Sequence, residues 1–307
     1  MGITGIDRVV FGVEDMEKNH RFFTDWGLKE MSKEPDRIVF ETLDGGEIVL
    51  RPADADDLAP AFEAGSTLRE VVWGVADTAA LEALRRRIGD TSEPSADQAP
   101  ACTDPNGMRL SFRVSQQRTV DVTGSPSNTY DSIGRVDRRG TVYERATPVS
   151  VGHVVLFSPD VRDAVRFYED KLGFVVSDCY PDAGYFLRCQ PEGGHHNLFL
   201  LQTPARRTGL NHVAYTVRDI HEVFGGGLHI ARCGWKTQLG PGRHPISSAY
   251  FWYVHAPCGG LAEYYADEDY CTAAWQAREF ERGNANFAEW AIDGGIDPET
   301  RRQVEQS

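Results

Sequence analysis

Two histidines and a glutamate occupy positions where strands would ordinarily carry apolar residues. His153 lies in Val151-Gly-His-Val-Val-Leu-Phe157, His212 in Leu210-Asn-His-Val-Ala-Tyr-Thr-Val217, and Glu263 in Leu261-Ala-Glu-Tyr-Tyr265. An ionisable residue inside such a run either faces solvent by alternation or points inward with a partner. Two imidazoles and one carboxylate form the facial triad that suits non-haem Fe(II) and leaves positions open for substrate and dioxygen. The same ligand types also admit Mn(II). The three residues are far apart in sequence, so three unrelated strand residues remain the alternative at this point.

The elements that must position them belong to a chain of 307 residues, long enough for one large or two medium domains. Its 41% hydrophobic and 25% charged residues are ordinary for a soluble globular protein. No apolar run reaches the length of a membrane span, and no signal-peptide pattern opens the chain. A net charge of -14 argues against nucleic acid or an anionic membrane as partner. The six cysteines are scattered without a CxxC pair, which predicts a reducing compartment and a cytoplasmic protein.

An internal repeat organises the chain. In the first half a strand (Ile6–Val13) leads to a helix from Asp15 to a glycine stop at Gly27. Strands Arg37–Thr42 and Glu47–Arg51 follow, joined by an Asp44-Gly-Gly hairpin signal. Then come a strand Leu68–Val75, a helix capped by Asp77, and a closing strand through Ser111. The second half repeats this from Gly152–Phe157, with Phe167-Tyr168 matching Phe22-Phe23 and Asp219 matching Asp77. The expected architecture is α+β, two tandem domains each built from two βαβββ modules forming an open barrel. The expected boundaries are 1–117 and 150–267 for the domains, with a linker at 118–149. A tail at 268–307, carrying Trp275, Phe280, Phe287 and Trp290, reads as helix and loop packed on the body.

The repeat also compares the two halves directly. Arg8, Glu70 and Ser111 stand where His153, His212 and Glu263 stand. A cation, an acid and a hydroxyl cannot replace the triad, so the first half is expected to be metal-free. Arg8 and Glu70 are expected to face each other as an ion pair. The span from His212 to Glu263 is ten residues longer than that from Glu70 to Ser111 and includes Gly240-Pro-Gly-Arg-His244, which reads as a surface loop.

Gly242-Arg-His244, Trp252-Tyr253, Ala256-Pro-Cys-Gly259 and Glu263 together carry a family pattern. Over about residues 1–267 the chain resembles the type I extradiol ring-cleaving dioxygenases of the vicinal oxygen chelate superfamily. Trp252 departs from the smaller apolar residue usual in that signature, which bears on packing or on the pocket. The resemblance implies that His153, His212 and Glu263 bind iron. It implies that His196, in Gly194-His-His-Asn197, is the acid–base residue facing the dioxygen site, with His195 as its neighbour and a candidate substrate contact. Alternation would place His196 on the face of Leu198 and Leu200. His244 and Tyr253 would hydrogen-bond the substrate hydroxyls. Phe186 and Trp235 are candidates for the pocket wall. The implied activity is extradiol (meta) cleavage of a catechol with Fe(II) and O2 in aromatic catabolism, by a homo-oligomer. Two alternatives stand beside it. One is a glyoxalase- or isomerase-like metal-dependent lyase, which would take ligands from both halves, against Arg8 and Ser111. The other is a non-enzymatic small-molecule binding protein, in which His196, His244 and Tyr253 would be surplus to the triad. No single stretch names the ring substituent of the substrate.

Overall fold

The computed structural model describes residues 2–90 and 99–297. Strand β1 (Ile3–Val13) leads into helix α1 (Met16–Asp25) and strands β2 (Lys29–Glu34), β3 (Arg37–Glu41) and β4 (Glu47–Pro52). Strand β5 (Thr67–Val75), helix α2 (Thr78–Ile88) and strands β6 (Ala101–Thr103) and β7 (Arg109–Val114) complete the first half. Their sheet runs β2-β3-β4-β1-β5-β7-β6, so the strands that open the two modules lie antiparallel at its centre.

The second half begins with β8 (Ser150–Phe157), α3 (Val161–Phe167), β9 (Val175–Tyr180), β10 (Gly184–Arg188), β11 (Gly193–Gly194) and β12 (Leu198–Leu201). It continues with β13 (Gly209–Thr216), α4 (Ile220–Arg232), β14 (Thr237–Arg243), β15 (Tyr250–His255) and β16 (Leu261–Ala266). The core of this sheet repeats that order and adds one strand, β14, at its end: β9-β10-β12-β8-β13-β16-β15-β14. The repeat is visible in local chemistry too. Asp15, Asp77, Asp160 and Asp219 each cap a module's helix by accepting a main-chain N–H three residues on.

The segment after Asp267 corrects the expectation of helix and loop. It supplies β17 (Tyr270–Cys271), β18 (Arg278–Glu279), a short helix α5 (Asn284–Phe287) and β19 (Trp290–Asp293). β18 pairs with β9 and β19 with β14, so the tail extends the second sheet at both edges to ten strands. The expected loop at Gly240-Pro-Gly-Arg243 is also strand, the bulged end of β14 between β15 and β19. Between the halves, residues 126–142 are exposed apart from a half-buried Arg135.

One apolar core runs through both halves. At its centre the Trp26 ring stacks on Tyr264 at 3.6 Å, and the Tyr264 hydroxyl donates to the Trp26 carbonyl at 2.6 Å. The Trp235 indole packs edge-on against Phe22 and donates to Asp25. Trp235 therefore joins the halves and is not a pocket residue. Trp252 is fully buried against α4, where a Cβ on Gly227 would fall 2.0 Å from the indole. Its departure from the family pattern is thus a matter of packing, on the sheet face opposite Tyr253.

The expected Arg8–Glu70 pair does not form. Arg8 lies directly across from Glu47 on β4 and pairs with it. Glu70 lies across from Arg109 on β7 and bonds to Arg109 and Ser111. Each charge meets an opposite one on its neighbouring strand, and direct cross-strand partners win over the diagonal one. Among the described residues no helix is long and apolar enough to cross a membrane.

Trp26→Ala should destabilise the folded chain by roughly 3–5 kcal/mol, the range for deleting a fully buried large aromatic side chain. Tyr264→Phe should cost less, about 1–3 kcal/mol for a buried acceptor left without its donor. Urea denaturation of the two variants checks both the magnitudes and their order.

Candidate metal centre

Strand register brings the triad together. His153 on β8 lies across from Ala214 on β13, and Ala214 across from Glu263 on β16. His212 is two residues from Ala214, so by alternation it shares their face. Tyr253 on β15 lies across from Glu263 and extends the same row. The methyl side chain of Ala214 is what stands between His153 and Glu263, leaving room above it for three longer side chains to converge.

The donor atoms of the triad are close. His153 Nε2 is 3.3 Å from His212 Nε2 and 3.2 Å from Glu263 Oε2, and His212 Nε2 is 3.1 Å from that same oxygen. Three donors about 2.2 Å from one ion and mutually at right angles stand roughly 3.1 Å apart. The side chains are buried, at 3%, 7% and 1% exposure for His153, His212 and Glu263. Asn211 Oδ1 accepts from His212 Nδ1 at 2.6 Å, which leaves Nε2 bare in the neutral ring. A bare nitrogen beside a carboxylate oxygen calls for a cation between them, so the residues fit a divalent metal. Burial above all, then the neighbouring His196, pushes the His153 imidazole down to about 3, favouring the neutral, ligating form. Burial on its own would raise the Glu263 carboxyl, but the imidazoles of His153, His212 and His244 facing it hold it well below its usual range.

The triad opens into a cavity of about 380 Å³. His244, just past β14, and Tyr253 flank it on the β16 side. The Tyr253 hydroxyl donates to His244 Nε2 at 3.0 Å, while His244 Nδ1 donates to the Phe287 carbonyl at 2.6 Å. Burial first, and then the charge of Glu263, raises the Tyr253 phenol well above its usual value. His196 flanks the triad on the β8 side, with its ring centroid 4.0 Å from that of His153. Phe186 lines the cavity, stacked at 4.0 Å on Phe199.

Two expectations need correcting here. His196 lies between bends at His195 and Asn197, in the link from β11 to β12, and does not share the face of Leu198 and Leu200. Those leucines point into the apolar core, and Phe199 and Leu201 face the cavity instead. His195 is fully buried and is not among the cavity-lining residues, so it is not placed to touch substrate. Its imidazole turns to Asp178, with Nε2 2.9 Å from Oδ2.

Sequence reasoning missed three groups. Glu268, one residue past the expected domain end, places Oε1 3.0 Å from His196 Nδ1. Burial raises its carboxyl to about 7. With His153 and His196 it forms a second cluster of potential ligands. Asp178 stands in the apolar strand run Val175-Val-Ser-Asp-Cys-Tyr180, and the rule that selected the triad could have found it there. Arg282, Asn284 and Phe287 of the tail close one side of the cavity, and no spacing signal marked them.

Residues 150–264 match the Glyoxalase/Bleomycin resistance protein/Dioxygenase superfamily. The match lies within the second half of the chain, the half that carries the triad. Metapyrocatechase 2 of Cupriavidus necator is 35% identical over 62% of this chain and 59% of its own length. Biphenyl-2,3-diol 1,2-dioxygenase of Paraburkholderia xenovorans is 29% identical over 43% of each. The chain thus spans less than two thirds of the length of these relatives. Among solved structures, the Mn(II)-bound glyoxalase from Novosphingobium aromaticivorans superposes with a TM-score of 0.75 at 25% identity, covering 95% of this chain and 93% of that one. The 2,2',3-trihydroxybiphenyl 1,2-dioxygenase from Sphingomonas wittichii gives 0.70 at 17% identity, covering 96% and 100%. Both share the α+β fold described above.

His153→Ala, His212→Ala and Glu263→Ala should each abolish stoichiometric metal binding, while Glu70→Ala in the first half should leave it intact. Elemental analysis after dialysis against a weak chelator reads both results. Full metal content in all three triad variants would mean that the ion is held elsewhere.

Proposed function

We propose that this protein is a member of that superfamily and an extradiol dioxygenase that cleaves a catecholic ring with Fe(II) and O2. The observation that carries this reading is a His/His/Glu face with three non-ligand polar groups around it. His196 stands on one flank, and His244 and Tyr253 on the other. A sequestering protein has no use for acid–base groups on both sides of a metal. The relatives' names, a metapyrocatechase and a biphenyl-diol dioxygenase, support the same reaction class. In this reading residues 1–117 are a metal-free supporting domain and 118–149 a linker. Residues 150–267 form the catalytic domain, and the tail from 268 completes the cavity wall.

Bound to His153, His212 and Glu263, an Fe(II) ion would supply open coordination positions and the one-electron chemistry that dioxygen activation requires. The remaining work falls to side chains. His244 Nε2 and the Tyr253 hydroxyl hold the substrate's oxygens and fix the ring against the triad. Phe186, stacked on Phe199, and Phe287 exclude water from the ring face. His196 takes up at Nε2 the proton that a substrate hydroxyl gives up and returns it to an oxygen of the product. Positioned proton transfer of this kind is worth roughly 10²–10⁴-fold in rate.

The likeness to a Mn(II)-bound glyoxalase supports a second reading, metal-dependent lyase or isomerase chemistry without dioxygen. The confinement of all three ligands to the second half favours the dioxygenase. Protein loaded separately with Fe(II) and with Mn(II) should consume oxygen with a panel of catechols and form a yellow ring-cleavage product. Metal-dependent turnover without oxygen uptake would establish the lyase instead.

His196→Gln separates binding from chemistry. Metal content and anaerobic catechol binding should persist, while kcat falls by roughly 10²–10⁴-fold. Rapid mixing of the anaerobic complex with O2 measures the loss directly. An unchanged rate would remove the assigned role.

A further inference from the structure

Beside His196 stands a second buried histidine that the proposed reaction does not use. His195 Nε2 is 2.9 Å from Asp178 Oδ2, and His195 Nδ1 is 3.3 Å from His196 Nδ1. Asp178 and His195 are both fully buried. Asp178 Oδ1 accepts the Arg278 main-chain N–H at 2.8 Å, and Oδ2 accepts its guanidinium at 3.1 Å. A carboxylate so engaged is an acceptor toward its third partner as well, so the His195 proton sits on Nε2. As the Nε2–H tautomer, His195 turns a bare Nδ1 toward His196.

The other neighbour of His196 Nδ1 makes the same demand. Glu268 Oε1 accepts the His196 main-chain N–H at 3.3 Å and lies 3.0 Å from Nδ1. Gly194 makes room for this carboxylate, since a Cβ there would fall 2.4 Å from Glu268 Oε2. Two acceptors face one ring nitrogen, and only an N–H satisfies both. Among the described residues no hydrogen bond engages His196 Nε2.

We propose that Asp178 and His195 are positioning residues which, together with Glu268, hold His196 as its Nδ1–H tautomer and present a bare Nε2 to the cavity. The device depends on the tail. Arg278 lies across from Asp178 in the pairing of β18 with β9, and its guanidinium is flanked by Trp275 and Phe280. Its catalytic meaning rests on the function proposed above, in which His196 begins the cycle as a proton acceptor. The opposite tautomer would offer the substrate an N–H where a lone pair is needed.

The direct test is ¹⁵N NMR of histidine-labelled full-length protein loaded with diamagnetic Zn(II), which reads ring protonation without any turnover. His196 should be protonated at Nδ1 and bare at Nε2, and His195 the reverse. His196 protonated at Nε2, or His195 protonated at both nitrogens, overturns the proposal whatever the enzyme's activity. In kinetics, Asp178→Asn places an amide where the acceptor stood. It should lower kcat by roughly 10²-fold or more with KM little changed, as wrong-tautomer variants do elsewhere.

Should Asp178→Asn fold poorly, a second pair of variants decides. Gln at 195 can still donate to Asp178 and accept from His196, whereas Phe can do neither. His195→Gln should therefore retain at least tenfold more kcat than His195→Phe at equal metal content. Equal rates for the two overturn the proposal. A wild type that turns over no catechol while showing the stated tautomers sinks the functional reading and leaves the positioning intact.

Discussion

The Glu263 carboxylate is 1% exposed, and withdrawing such a charge from water costs several kcal/mol unless it is compensated. Compensation has to arrive from both sides of β16 at once. His212 reaches it from β13 and His153 from β8, one strand further on, while His244 approaches from the end of β14 with Nε2 at 3.9 Å. Two neutral imidazoles cannot neutralise a carboxylate, and a divalent ion can. The parallel pairing of β13 with β16, the antiparallel pairing of β8 with β13, and the smallness of Ala214 all serve that one charge.

The first half shows what the fold does when that charge is absent. Its central strands have the same order, but Glu47 and Arg109 stand across from Arg8 and Glu70. Each ion pair closes between adjacent strands, and nothing drives three donors to one point. What this half contributes is rigidity. Tyr264 follows Glu263 directly in β16, and its ring is clamped against Trp26 of the first half. Asp104 of the first half accepts the Tyr168 hydroxyl, and Asn106 accepts that of Ser158 just beyond β8. Two of the three strands that carry the triad are thereby tied to the first half.

Much of this was legible because it rests on local pattern. Strands with an ionisable residue in an apolar run marked the triad, and aspartate caps with glycine stops marked the modules. The rest was decided by register and by long-range approach. Glu268 reaches His196 because Asp267 turns the chain at a positive φ of 64°, and nothing in the acidic run Asp267-Glu-Asp269 tells which carboxylate turns inward. Arg8 and Glu70 looked complementary in a two-strand comparison, yet their partners sat on the outer strands that the comparison left out. The alternation from His196 to Leu200 failed because a bend interrupts the strand. The tail carried too few apolar alternations for its two-residue and four-residue strands to be seen as strands at all.

The order in which the chain leaves the ribosome adds a constraint of its own. Domains are generally made and folded N-terminal first, and the chain around Trp26 and Asp104 leaves the ribosome ahead of His153. The ligands then arrive at positions 153, 212 and 263, and β18 and β19 close the sheet last. No nascent fragment short of Glu263 contains the whole triad. The complete ligand set therefore waits for the chain to pass Glu263, and a translation product aborted before it would carry the first half without the whole triad.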